Sequence, residues 1–86
     1  MTIPKKPRVA KMFRLQWEPA QQAHVLLYPE GMVKLNQSAA EILKRCDGSR
    51  DLSTLVSELE QAFGSTGLQQ DVEDFLQAAA DQGWIQ

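Results

Sequence analysis

Residues 24–63, HVLLYPEGMVKLNQSAAEILKRCDGSRDLSTLVSELEQAF, carry the pattern of a β-hairpin followed directly by two short amphipathic helices. Two β-rich runs, 24–28 and 32–35, flank the turn segment Tyr-Pro-Glu-Gly, in which Pro at the second position and Gly at the fourth favour a type I turn. With a loop of only Pro29 and Glu30, Tyr28 and Gly31 form a hydrogen-bonded pair. Ladder alternation then points the N–H groups of Met32 and Lys34 away from the neighbouring strand.

The helices are predicted from their caps and apolar stripes. The first should begin near Asn36 or Ser38, since Ser38 and Glu41 have capping-box spacing, and it should end at Gly48. Its stripe is Ala39, Ile42, Leu43 and Cys46. Asp51 is the predicted N-cap of the second helix, and Gly64 follows its end. Its stripe is Leu52, Leu55, Val56, Leu59 and Phe63.

The flanking sequence adds one strand before this unit and one helix after it. Residues 12–17 alternate, with Phe13, Leu15 and Trp17 on one side, as in a half-buried strand. A third helix carries Leu68, Val72, Phe75, Leu76 and Ala79 on one face and ends at Gly83. The order predicts an α+β, winged helix-turn-helix-like fold in which an N-terminal three-stranded antiparallel sheet is followed by three helices. We expect a flexible basic arm over residues 1–10, where Pro4 and Pro7 oppose regular structure, and a single domain over residues 11–86.

The charge distribution argues against nucleic acid as the partner. Residues 1–14 hold five cations and no acid, whereas residues 51–86 hold seven acids and no Lys or Arg. The third helix, which reads the major groove in related folds, would therefore be repelled by phosphates.

The sequence also bears on cellular location. No apolar run is long enough to cross a membrane, no signal peptide is recognisable, and the single cysteine suits a reducing cytoplasm.

The sequence predicts neither catalysis nor a bound metal or other cofactor. Cys46 lies on an apolar stripe and is expected in the core, and His24 is the only histidine, so no nucleophile–base pair and no His/Cys metal site is expected. The remaining candidate for a functional site is the unpaired edge of the third strand. An exposed edge beside an apolar helix face is typical of proteins that bind an extended peptide as an added strand.

Three segments together resemble the PqqD family, small peptide-recognition proteins of pyrroloquinoline quinone biosynthesis. They are YPEGMVKLNQSAAEIL, CDGSRDLSTLVSEL and DVEDFLQAAADQGWI, and the likeness extends from about residue 7 to residue 85. It implies a protein that binds the ribosomally made, PqqA-like precursor peptide. It also implies presentation of the peptide to a PqqE-like radical S-adenosylmethionine enzyme, which cross-links a Glu and a Tyr of that peptide.

The resemblance also implies where the peptide lies: along the third strand, in the groove that this strand makes with the third helix. The residues expected to bind it are Met32, Val33, Lys34, Leu35, Val72, Phe75, Leu76 and Ala79. Core packing is an equally good explanation for Phe75 and Leu76. The alternatives in function are a recognition subunit of another peptide-modification pathway, a subunit that only stabilises an enzyme, and a winged-helix regulator that does not bind DNA.

Overall fold

The fold was analysed in a computed structural model that describes residues 2–86. Its elements are β1 (Arg14–Glu18), β2 (Ala23–Tyr28), β3 (Gly31–Lys34), α1 (Gln37–Lys44), α2 (Leu52–Phe63) and α3 (Gln69–Asp81). The strands form one antiparallel sheet in the order β1-β2-β3. The predicted order of three strands and three helices is confirmed.

The register of the hairpin also agrees with the prediction. Tyr28 pairs with Gly31 across a two-residue loop, and Val25 pairs with Lys34. The sheet has two unlike faces, because successive side chains of a strand point to opposite sides. Leu26, Leu15 and Val33 share the face that packs against the helices, which we call the core face. The opposite side, the outer face, carries Arg14, Gln16, Val25, Leu27, Met32 and Lys34.

The first strand is shorter and more exposed than its pattern predicted. It begins at Arg14 rather than at residue 12, and Phe13 lies before it, stacked at a tilt against Tyr28. Trp17 is on the core-face side of the strand but 51% exposed, since it lies at the end of the sheet beside His24 rather than over the core.

Two details of the α1 prediction are wrong. The helix is capped by Asn36, whose Oδ1 accepts a hydrogen bond from the Ala39 amide at 2.8 Å, and no Ser38–Glu41 capping box forms. Glu41 instead pairs with Arg45 and Lys44, whose hydrogen bonds lower the pKa of its carboxyl group, Arg45 most strongly. The helix ends at Lys44, and Arg45 is its C-cap. Gly48 lies beyond it, in a turn where its positive φ of 85° disfavours any residue with a side chain.

The ends of α2 and α3 follow their predicted signals. Asp51 caps α2 through a 2.9 Å bond from the Thr54 amide, and left-handed Gly64 ends this helix. After α3 the chain reverses at Gly83, and the Trp84 amide donates to the carbonyl of Ala79. This reversal returns residues 84–86 to the body of the protein, where Ile85 is buried.

One apolar core lies between the sheet and the helices. Its fully buried centre consists of Leu26, Leu43, Leu55, Leu59 and Leu76. At its edge, Arg50 joins the loop before α2 to α2 through Glu58, with Nε–Oε1 at 2.9 Å, and Arg45 approaches the same oxygen at 3.5 Å. None of the helices in residues 2–86 is both long and apolar enough for a membrane span.

The N-terminal segment joins the fold earlier than expected. Pro7 is buried, Arg8 exchanges two backbone hydrogen bonds with Gln86, and Val9 donates to the carbonyl of Cys46. Residues 7–10 therefore belong to the folded body, and the predicted boundary after residue 10 lies too late in the chain. Sequence patterns within the segment could not show this, because its partners lie at residues 46–48 and 84–86. The flexibility expected of the preceding residues stays a prediction.

Candidate functional site

A groove of about 620 Å3 opens beside the free edge of β3. One wall comes from β3 and the residues that follow it: Val33, Lys34, Leu35 and Asn36. The start of α1 adds Ser38, Ala39 and Ile42. The opposite wall comes from the end of α2, the α2–α3 loop, α3 and the C-terminal segment, with Leu59, Phe63, Ser65, Leu68, Asp71, Val72, Phe75 and Trp84. We refer to this set as the groove.

The β3 edge presents backbone groups to the groove. The Leu35 amide donates to the His24 carbonyl at 3.0 Å, which makes these residues a hydrogen-bonded pair. Alternation along the register places Val33 in the same set, so its N–H points at β2. Met32 and Lys34 fall in the other set, and their N–H and C=O groups point away from β2, to the side where no further strand of residues 2–86 pairs. The edge can therefore bind an added strand.

The walls are mostly apolar and the rims carry opposite charges. Val33 and Phe75 are half-buried, and the Phe75 ring lies 6.5 Å from that of Trp84. Lys34 and Asp71 are the charged residues that border the groove; both are exposed, and the Lys34 side chain projects to the outer face. Within residues 2–86, neither side chain takes part in a salt bridge. This arrangement can bury apolar side chains and discriminate between charged ones.

The structure brings together five of the eight residues expected to bind a peptide: Val33, Lys34, Leu35, Val72 and Phe75. Leu76 and Ala79 do not line the groove. Both are 0% exposed in the core, so their side chains are not accessible to a ligand. Met32 does not line the groove either, and its half-exposed side chain lies on the outer face. Its backbone groups nevertheless remain on the free edge.

Two aromatic residues line the groove that were not predicted to bind a peptide, Phe63 and Trp84. Phe63 is the last residue of α2 and keeps 38% of its surface exposed, although the apolar stripe assigned it to the core. Its place directly before the helix-ending Gly64 was a usable signal, since the last turn of a helix often projects beyond the core. Trp84 follows Gly83, after the end of α3, and its position beside Phe75 depends on a contact between elements.

The two residues considered for catalysis lie in unlike surroundings. Cys46 is buried, its Sγ donates to the Ile42 carbonyl at 3.3 Å, and desolvation is the main cause that raises the pKa of its thiol to about 12. His24 packs edge-on against Trp17, with ring centroids 5.2 Å apart. Residues 2–86 contain no group of three or more His, Cys, Asp or Glu side chains that could hold a metal ion.

Comparison with known proteins identifies the family. Residues 23–85 match the family model described as coenzyme PQQ synthesis protein D (PqqD). A protein of Azotobacter vinelandii named PqqA binding protein is 52% identical over 81 residues, covering 93% of this chain and 88% of its own. A protein of the same name from Methylococcus capsulatus is 46% identical, covering 90% of this chain and 83% of its own.

A solved structure agrees with this assignment. The solution structure of the PqqD truncation of Methylobacterium extorquens PqqCD superposes with a TM-score of 0.72 at 27% identity, over 93% of this chain and 87% of that one. That protein is described as a functional, stand-alone recognition element for ribosomally synthesised and post-translationally modified peptides. The family model, the two relatives and this fold all agree that the chain belongs to the PqqD family.

Proposed function

We propose that this protein binds the precursor peptide of pyrroloquinoline quinone as an added strand on β3, with alternate peptide side chains in the groove. The observation that carries the proposal is the free β3 edge, where Met32 and Lys34 present N–H and C=O groups beside the apolar groove wall. The relatives named PqqA binding protein support a PqqA-like peptide as the ligand.

The energetics are consistent with a transient peptide complex. Each backbone hydrogen bond contributes about 1 kcal/mol net, and burial of an apolar side chain contributes about 1.5–3 kcal/mol. Met32 and Lys34 together offer four backbone groups, and we assume that one or two apolar side chains of the peptide enter the mostly apolar groove. These gains total about 5.5–10 kcal/mol, and the cost of ordering the peptide is subtracted from them, so a dissociation constant in the micromolar range or weaker is expected.

The protein acts, on this proposal, as a peptide chaperone without catalytic activity. A PqqE-like radical S-adenosylmethionine enzyme, working in the cytoplasm, would cross-link a Glu and a Tyr of the bound peptide. The burial of the Cys46 thiol and its raised pKa support a structural role for the one cysteine.

The test compares two substitutions at Lys34 in calorimetric titration with the precursor peptide. Lys34→Pro removes the outward N–H and the side chain, whereas Lys34→Ala removes only the side chain. We expect the proline variant to bind at least about fivefold more weakly than the alanine variant, which corresponds to one net hydrogen bond. Equal affinities would mean that the peptide does not lie along this edge.

A matched control lies one residue away. Val33 points its N–H at β2, so Val33→Pro should damage the hairpin itself and reduce the circular dichroism signal of the fold. Lys34→Pro should leave that signal near the level of the natural protein, because proline is tolerated on a sheet edge.

A further inference from the structure

We infer that the β3 edge and the groove together select a two-residue signal in the peptide: an acidic residue directly opposite Lys34, followed by an apolar residue opposite Val33. The inference rests on the proposed function, since it assigns the side-chain chemistry that the added strand must carry. Lys34 becomes a specificity-determining residue through its side chain, in addition to the role of its backbone.

The facing of the two side chains follows from the pleat. In an antiparallel pair, residues directly opposite each other project to the same face of the sheet. Lys34 is on the outer face and Val33 is on the core face, beside the groove. The peptide residue opposite Lys34 therefore projects to the outer face, and the one opposite Val33 projects into the groove.

Charge then decides which residue types fit. A side chain that projects into the groove meets Val72 and Phe75, with the Asp71 carboxylate at the rim, so an acidic residue is disfavoured there by desolvation and by like charge. On the outer face, the Lys34 ammonium group has no salt-bridge partner in residues 2–86. The peptide residue opposite Lys34 would lie directly across the strand pair from this ammonium group. An opposite charge at that position forms a favourable cross-strand pair.

Strand direction sets the order of the two residues. Lys34 has both its N–H and its C=O on the free edge, which is the arrangement that an antiparallel partner residue satisfies with two bonds. The two existing pairings in the sheet are antiparallel as well. In an antiparallel strand, the residue opposite Lys34 precedes the residue opposite Val33, so the acidic residue comes first.

The experiment is a charge swap. Each acidic residue of a synthetic precursor peptide is replaced in turn by Lys, and each peptide is titrated against the natural protein and against Lys34→Glu. We expect one substitution, at an acidic residue followed by an apolar one, to weaken binding to the natural protein about fivefold or more, corresponding to about 1 kcal/mol. The same peptide should regain that affinity with Lys34→Glu.

The control variant is Arg14→Glu. It makes the same charge change on the same outer face, but in β1, on the far side of the sheet from the free edge. Arg14→Glu should not restore the affinity of any Lys-substituted peptide. If both variants restore the affinity equally, the effect is a general one of net charge. If Lys34→Glu restores the affinity of no substituted peptide, Lys34 does not pair with an acidic residue of the peptide. Either result overturns the inference.

The order is tested with a peptide in which the acidic and the apolar residue are exchanged. This peptide should bind at least about fivefold more weakly than the original. Equal or tighter binding overturns the inferred order. Failure here is distinguishable from failure of the proposed function, because the comparison of Lys34→Pro with Lys34→Ala tests the strand addition independently of any side chain in the peptide.

Discussion

Adjacent residues of β3 have different roles, because their side chains project to opposite faces of the sheet and their backbone N–H groups point to opposite sides of the strand. Val33 donates its N–H to the sheet and directs its side chain to the groove, whereas Lys34 directs its N–H to the free edge and its side chain to the outer face. Asn36 shows a related division, since its side chain caps α1 while the residue lines the groove. Single substitutions at such positions separate the contributions of backbone and side chain.

Cys46 gives a prediction of pH dependence at this scale. Burial raises the pKa of its thiol to about 12 in the folded protein, against about 8.5 for an unfolded chain. The neutral thiol therefore makes its full contribution to the free energy of unfolding below pH 8.5. This contribution is lost as the pH rises from 8.5 towards 12, because the unfolded chain releases the thiol proton and the folded protein retains it. We expect the free energy of unfolding to fall by on the order of 1 kcal/mol per pH unit above pH 8.5.

The measurement is urea denaturation from pH 7 to pH 10.5, with Cys46→Ala as the matched variant because it has no titrating thiol. The stability difference between natural protein and variant should shrink above pH 8.5. A difference that stays constant over this range would contradict the burial of a neutral thiol. Alkylation of the natural protein by iodoacetamide should correspondingly require unfolding.

At the scale of the elements, α3 divides its apolar stripe between two surfaces. Val72, Leu76 and Ala79 face the core, and Val72 and Phe75 line the groove. Adjacent residues of a helix are about 100° apart, so Phe75 and Leu76 reach different surroundings although the same stripe contains both. The question that the sequence left open for this pair is answered by burial: Leu76 is core, and Phe75 is groove wall.

Alanine substitution at these two positions tests that division. Leu76→Ala should lower the free energy of unfolding by about 2–5 kcal/mol, since it empties a fully buried site. Phe75→Ala should cost less stability but weaken binding of the precursor peptide about fivefold or more, because it removes groove wall.

Urea denaturation and calorimetric titration of both variants provide the check, at a temperature where each is folded. Unchanged affinity in folded Phe75→Ala would mean that the peptide does not use the α3 wall.

At the scale of the whole molecule, the two chain ends stabilise each other. Residues 7–10 form five backbone hydrogen bonds with residues 46, 48, 84 and 86, and Pro7 is fully buried between these segments. The segment before them adds a smaller contact, in which Ile3 packs against the core. Residues 7–10 are thus the part of the N-terminus on which the fold depends.

Two truncations test this arrangement. Deletion of residues 2–10 removes all five bonds and should lower the free energy of unfolding by on the order of 5 kcal/mol. Deletion of residues 2–6 keeps the five bonds and should lower the free energy of unfolding much less, by about the contribution of one half-buried isoleucine. Thermal and urea unfolding of the two proteins give the comparison, and equal losses would contradict the boundary at residue 7.

The features that could be predicted from the sequence are those that local rules control. The two-residue loop and the period of a strand establish which amides of β3 face outward, and Asp51 and Gly64 mark the ends of α2 through bonds within a few residues. The features that needed the tertiary structure depend on partners distant in the chain. Whether Phe63 and Phe75 face the groove, and whether residues 7–10 are free or bound, is decided by packing between elements. An apolar stripe states only that a face avoids water, and either the core or a groove satisfies that requirement.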